Sequence, residues 1–93
     1  MGTKVTDNIA MRRFELPIDG DASAYAYYRI DDGRVVLIHT EVPYEYSGQD
    51  VGTILADGVF EEVRRTHRRV TPKCAFMAAY ALKHAEFVDI VDW

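Results

Sequence analysis

The chain is predicted to fold as an α+β domain with the element order βββαβα, its helices packed on one mixed sheet. Three observations predict this. Two strand-like runs, residues 22–30 and 34–42, flank Asp32-Gly33; an apolar stripe at helical spacing fills residues 51–63; a short strand-like segment at 69–72 leads into a second helical run. All 93 residues fit one domain, 1–93, since single domains commonly hold about 50 to 200 residues. A hydrophobic share of 48% with 28% charged residues supplies one modest core and excludes a disordered chain.

The first strand spans residues 9–16, where MRRFEL alternates imperfectly, and Pro17, Asp19 and Gly20 then mark a turn. In the second, residues 22–30, Ala22, Ala24, Ala26, Tyr28 and Ile30 share one face, and Ser23, Tyr25, Tyr27 and Arg29 the other. Asp32-Gly33 signals a hairpin, because a tight hairpin turn needs positive φ, which glycine adopts freely and aspartate tolerates. The third strand, residues 34–42, contains VVLIHTEV, whose first four residues are apolar on both faces, as in a central strand covered on both sides. These three strands make an antiparallel meander. Val51, Ile54, Leu55, Val59 and Val63 form one stripe of a helix from about 50 to 66, with Arg64, Arg65 and His67 near its negative end. A strand at about 69–72 follows, which makes strand, helix and strand a right-handed parallel crossover. Phe76, Met77, Ala79, Tyr80 and Leu82 predict a second helix ending near His84, and FVDIVDW a tail that packs or pairs at an edge.

Composition narrows the function classes. A formal net charge of −4 argues against broad nucleic-acid or anionic-membrane binding as the main activity. No apolar run nears the roughly 18 residues of a membrane span, and MGTKVTDNIAMRRF lacks the apolar core of a signal peptide, so a cytoplasmic location is expected. Cys74, the single cysteine, has no internal disulfide partner; His39, His67 and His84 lie far apart, and no metal site is expected.

The stretch EVPYEYSGQDVGTIL, residues 41–55, joins a predicted central strand to a predicted helix N-terminus through Gly48 and Gly52. Free amide donors and the positive helix end gather at such a junction, and glycine lets an anion approach the backbone. Two readings stand: an anion-binding loop, or a glycine turn in which Ser47 and Asp50 form a capping box.

Together with PKCAFMAAYALKHAEF at 72–87, HTEVPYEYSGQDVGTIL at 39–55 resembles the short cysteine-containing branch of the GNAT acetyltransferase superfamily, and the resemblance covers most of the chain, residues 13–91. In that superfamily a strand leads into a loop of pattern Q/R-x-x-G-x-G/A, which with the following helix cradles the acetyl-CoA pyrophosphate. The resemblance implies a small N-acetyltransferase that moves an acetyl group from acetyl-CoA to an unidentified amine. It places Val42, Ser47, Gly48, Gln49, Asp50, Val51, Gly52 and Thr53 at the cofactor. Two positions depart from the pattern: Ser47 stands where Arg or Gln is usual, and Asp50 where glycine is. A lost charge-assisted hydrogen bond is worth about 1.5 to 3 kcal/mol, and a like-charge pair at about 4 Å costs about 1 kcal/mol in water and about 4 at an effective dielectric of about 20. Both departures weaken anion binding.

The resemblance also sets Cys74 near the CoA thiol as a candidate nucleophile, before a helix N-terminus that would lower its pKa. The alternative is a small buried hydrophobe. Acetyl transfer further needs an oriented thioester, a base for the ammonium and a proton for the departing thiolate. Backbone amides near Glu41 and Val42 are candidates for the first, Glu41, with His39 on the same strand face, for the second, and Tyr80 for the third. His84 matches the family's His-Pro-Glu-aromatic ending, with Ala85 in place of proline. RRTHRR at 64–69 reads either as a solvated helix end or as a basic patch for nucleic acid or the 3′-phosphate of CoA, and the strand tyrosines as sheet cover or as base-stacking groups. Two functional classes therefore stand: an acetyltransferase, monomeric or homodimeric, and a binding module that keeps the fold with an impaired or lost CoA site.

Overall fold

A computed structural model describes residues 4–93. It contains β1 (Thr6–Asn8), β2 (Arg13–Asp19), β3 (Ala22–Asp31), β4 (Arg34–Glu41), α1 (Val51–Arg65), β5 (Val70–Pro72) and α2 (Ala75–Lys83), with 3₁₀ turns at Tyr44–Tyr46 and Ala85–Ile90. The strands lie in chain order in one sheet; β1 to β4 are antiparallel neighbours, and β5 runs parallel to β4 with α1 as the crossover. The fold is the predicted α+β arrangement of helices on a mixed sheet, extended by one short strand. Asp32 and Gly33 adopt φ of 54° and 77°, the two positive values a type I′ hairpin demands.

The added strand explains the imperfect alternation of MRRFEL. Where the sequence predicts one strand over 9–16, residues 9–12 turn instead, with the Arg12 amide donating to Ile9 O at 3.1 Å and Arg12 at φ 54°. Strands flank this turn on both sides. β2 also continues through Pro17, whose missing N–H is tolerated at a register shift between Pro17 and Asp19, so the chain turns later, at Gly20.

Strand alternation buries Phe14 and Leu16 of β2, Ala24, Ala26 and Tyr28 of β3, and Val35 and Leu37 of β4 against the helices. From α1 come Leu55, Ala56, Val59, Phe60 and Val63. Ile54, part of the predicted stripe, is exposed, because the buried face extends from Leu55 and Val59 toward the following residues, Ala56 and Phe60. Ile30 of β3 and Ile38 of β4 are likewise exposed, so β4 is buried on both faces only over Val35–Leu37. The Phe60 ring lies 5.0 Å from Tyr80 and 5.4 Å from Phe87, which joins α1, α2 and the 3₁₀ turn in one aromatic cluster.

α1 ends at a left-handed His67: the Arg68 amide donates to Val63 O at 3.1 Å and the His67 amide to Arg64 O at 3.0 Å, the paired bonds of a Schellman motif. The tail pairs at the sheet edge, as expected. Val91 bridges Val70, the Asp92 amide donates to Val70 O at 2.8 Å, and two ion pairs of 2.6 Å, Arg64 to Asp89 and Arg69 to Asp92, hold it. No helix among the described residues is long and apolar enough to cross a membrane. Both helices lie on one face of the sheet, and the other face presents Arg13, Glu15, Tyr25, Tyr27, His39 and Glu41.

Candidate active site

The site begins where β4 and β5 part. Tyr27 pairs with His39 while Tyr28 pairs with Leu37, so Ile38 is an extra residue, a bulge that bends β4. β5 follows β4 only from Val35 to Leu37 and ends at Pro72. The Lys73 and Cys74 amides both donate to Leu37 O at 2.9 Å, closing the ladder. Beyond that point β4 has no strand partner toward β5 among the described residues, and a slot lined by Val42 and Phe76 opens between the end of β4 and the start of α2.

Cys74 lies at this opening as the N-cap of α2. Its Sγ is 3.3 Å from Thr40 Oγ1. Burial pushes the thiol up, but hydrogen bonds from the Thr40 hydroxyl, the Met77 and Phe76 amides and the Thr40 amide outweigh it and bring the pKa below the ordinary value. Four polar groups thus surround the sulfur. The helix N-terminus and the free β4 edge create that environment together.

At the other end of the slot lies the glycine loop. The Ser47 hydroxyl donates to Tyr44 O at 2.7 Å and the Gln49 amide group to Glu45 O at 3.2 Å, so both side chains tie the loop to its own 3₁₀ turn. This overturns the capping-box reading: the N-cap of α1 is Asp50, and it makes no side-chain cap bond. Asp50 is left-handed at φ 61°, a conformation natural to glycine, and Gly48 is left-handed at φ 82°. The Ile54 amide is the first to bond back, to Asp50 O at 3.0 Å, and the Val51, Gly52 and Thr53 amides find no acceptor among the described residues. They line a cavity of about 310 Å³ with Val42, Tyr46, Ser47, Gly48, Asp50 and Phe76. At Gly52 the reason for glycine is contact: a Cβ there would meet Phe76 Cζ at 2.9 Å.

Glu41 points the other way. Thr40 pairs with buried Ala26 and faces the helices, whereas Glu41 pairs with Tyr25 and faces the open side of the sheet. His39 shares that side, its Nε2 3.2 Å from Glu41 Oε2 and its ring stacked on Tyr27 at 5.9 Å. A second cavity, of about 390 Å³, lies here between Ser23, Tyr25, Thr40, Glu41, Val42 and Pro43. Thr40 thus touches both Cys74 and this cavity, while Val42 lines both cavities.

A sequence profile described as GCN5-related N-acetyl-transferase matches residues 13–90. The chain belongs to the GCN5-related N-acetyl-transferase family. In fold it is similar to a GCN5-like protein of Staphylococcus aureus solved by NMR, with a TM-score of 0.70 and 24% identity, covering 98% of this chain and 89% of that one. No curated protein matches the chain.

Other candidate residues of this GCN5-related chain have partners of their own. The Tyr80 hydroxyl donates to Asp57 of α1, and burial and that carboxylate push its pKa up. That bond links α2 to α1. Its ring stacks on His84 at 3.8 Å, and His84 Nδ1 lies 2.8 Å from Tyr80 O. The arginines of RRTHRR are paired with carboxylates: Arg64 with Asp89, Arg65 with Glu62, Arg68 with Asp7 and Arg69 with Asp92. Two residues join the site that the sequence does not single out. Thr40 is signalled only by period two, which turns it away from Glu41; Phe76 reads as core yet is half-exposed over Gly52.

Proposed function

We propose that the chain is an N-acetyltransferase, acting in the cytoplasm, that takes an acetyl group from acetyl-CoA and delivers it to an amine. The observation that carries this is the parted β4–β5 edge, with the free α1 amides at one end and the Cys74 donor pocket at the other. Acetyl-CoA fits that opening: the amides of Val51, Gly52 and Thr53 suit a pyrophosphate, beside Gly48, Gln49 and the backbone of Val42. Bound there, it supplies an activated thioester acetyl group. Cys74, held toward the thiolate, offers a nucleophile on the helix side of the slot. Glu41, with His39 beside it, offers a base on the open side, where an incoming ammonium loses its proton.

One observation favours the second reading, a module with a weakened cofactor site. Asp50 sets a carboxylate beside the free amides, and Ser47 supplies no cation. Calorimetric titration of CoA into the wild type, Asp50→Gly and Ser47→Arg separates the two. The acetyltransferase reading expects wild-type binding that both substitutions tighten; no heat from any of the three proteins would reject it in favour of the module.

A further inference from the structure

The first turn of α2 meets the first turn of α1 at Phe76. The Phe76 amide, with that of Met77, faces Cys74 Sγ, as the second and third helical positions face an N-cap side chain. Its ring reaches the other way, onto Gly52, whose amide is among the free donors of α1. A Cβ added at Gly52 would lie 2.9 Å from Phe76 Cζ, 3.4 Å from Cε1 and 3.5 Å from Cε2, so the ring rests against a position that glycine leaves open. The same ring lines both the amide cavity and a further cavity of about 230 Å³ between α1 and α2, with Thr53, Tyr80 and His84. Further along α2, Met77 is fully buried, and Tyr80 packs on Phe60 and donates to Asp57. Those contacts fix the later turns, and Phe76 braces the beginning.

We propose that Phe76 is a positioning residue: its ring, seated on Gly52, braces the first turn of α2 against the first turn of α1 and so fixes where Cys74 Sγ sits relative to the free amides. Gly52 is its counterpart, small enough for the ring to close on it. The half-exposed ring adds less to the core than the fully buried Phe60, which suits a brace better than a core residue. Such a brace matters because a misplacement of about 1 Å can cost roughly 100-fold in rate. That the fixed span suits a thioester arm running from pyrophosphate to sulfur rests on the acetyltransferase reading; the brace itself is measured without cofactor.

The test reads the pH at which alkylation of Cys74 reaches half its maximal rate, in folded protein without CoA. Gly52→Ala should raise that midpoint by roughly half a pH unit, since the new methyl drives the ring off its seat and the Phe76 and Met77 amides move with it. The helical preference of alanine should meanwhile leave the urea midpoint equal or higher. Phe76→Ala should raise the alkylation midpoint as well, and Phe76→Leu by less, because leucine keeps apolar bulk against Gly52. Adding Gly52→Ala to Phe76→Ala should then change nothing further, for the methyl acts through the ring. Unmoved alkylation midpoints in Gly52→Ala and Phe76→Ala, with or without a change in urea midpoint, would overturn the proposal, as would an equal shift from Gly52→Ala in both backgrounds. CoA titration keeps the two readings apart. Shifted midpoints in a protein that binds no CoA reject the acetyltransferase reading and leave the brace standing, whereas CoA binding with unmoved midpoints rejects the brace alone.

Discussion

His67 and Cys74 show how single residues answer to their surroundings. His67 takes φ 57° to close the Schellman motif, a conformation that strains a residue with a Cβ and suits glycine. His67→Gly is therefore expected to stabilise the fold by about 0.5 to 1 kcal/mol, read as a higher urea midpoint at unchanged slope. The side chain is exposed, so no packing is lost. At Cys74 the donors around Sγ outweigh burial, so alkylation should reach half its maximal rate at a pH below that of a free model thiol. Thr40→Val removes the hydroxyl at 3.3 Å and should move that midpoint upward. A midpoint at the free-thiol value in the wild type would return Cys74 to a structural role.

Among the elements, α1 is the one on which both the core and the site depend. Its buried face holds the sheet, its N-terminus supplies the free amides, and Phe60 joins it to Tyr80 of α2 and Phe87 of the tail. Phe60 is fully buried, so Phe60→Ala leaves a cavity at the meeting point of three elements. A loss of about 3 to 5 kcal/mol is expected in chemical denaturation, a large part of a small domain's stability. The extent of α1 agrees with the helix predicted over 50–66, because its stripe and its termini are local features. Its facing is less legible: the choice of Phe60 over Ile54 depends on where β2 and β3 lie.

The whole molecule is closed by its tail, which adds a bridge beside β5 and is held by Arg64–Asp89 and Arg69–Asp92. The Arg69 guanidinium holds the Asp92 carboxyl below its ordinary value. A depressed folded-state pKa stabilises fully above the unfolded value, roughly pH 4, and is lost as pH falls through the folded one. Exchange of the Asp92 amide should therefore quicken, after correction for intrinsic rates, only below about pH 4, and Arg69→Gln should abolish that transition. The same ion pairs account for RRTHRR. Its charges hold the fold together and leave little free cation for nucleic acid.

By itself the sequence determined the element types, the Asp32-Gly33 hairpin, the strand-loop-helix junction at residues 41–55 and the resemblance that led to the family. Each rests on local periodicity, turn chemistry or motif spacing. Tertiary structure alone decided the rest: the Ile38 bulge, Thr40 beside Cys74, Glu41 on the opposite face, Tyr80 bound to Asp57 and Phe76 over Gly52. The reason is physical. A residue's spacing tells which face it shares with its neighbours, but its partner comes from a distant part of the chain, and the bulge shifts the alternation after Leu37 that would otherwise predict which side chains face the slot.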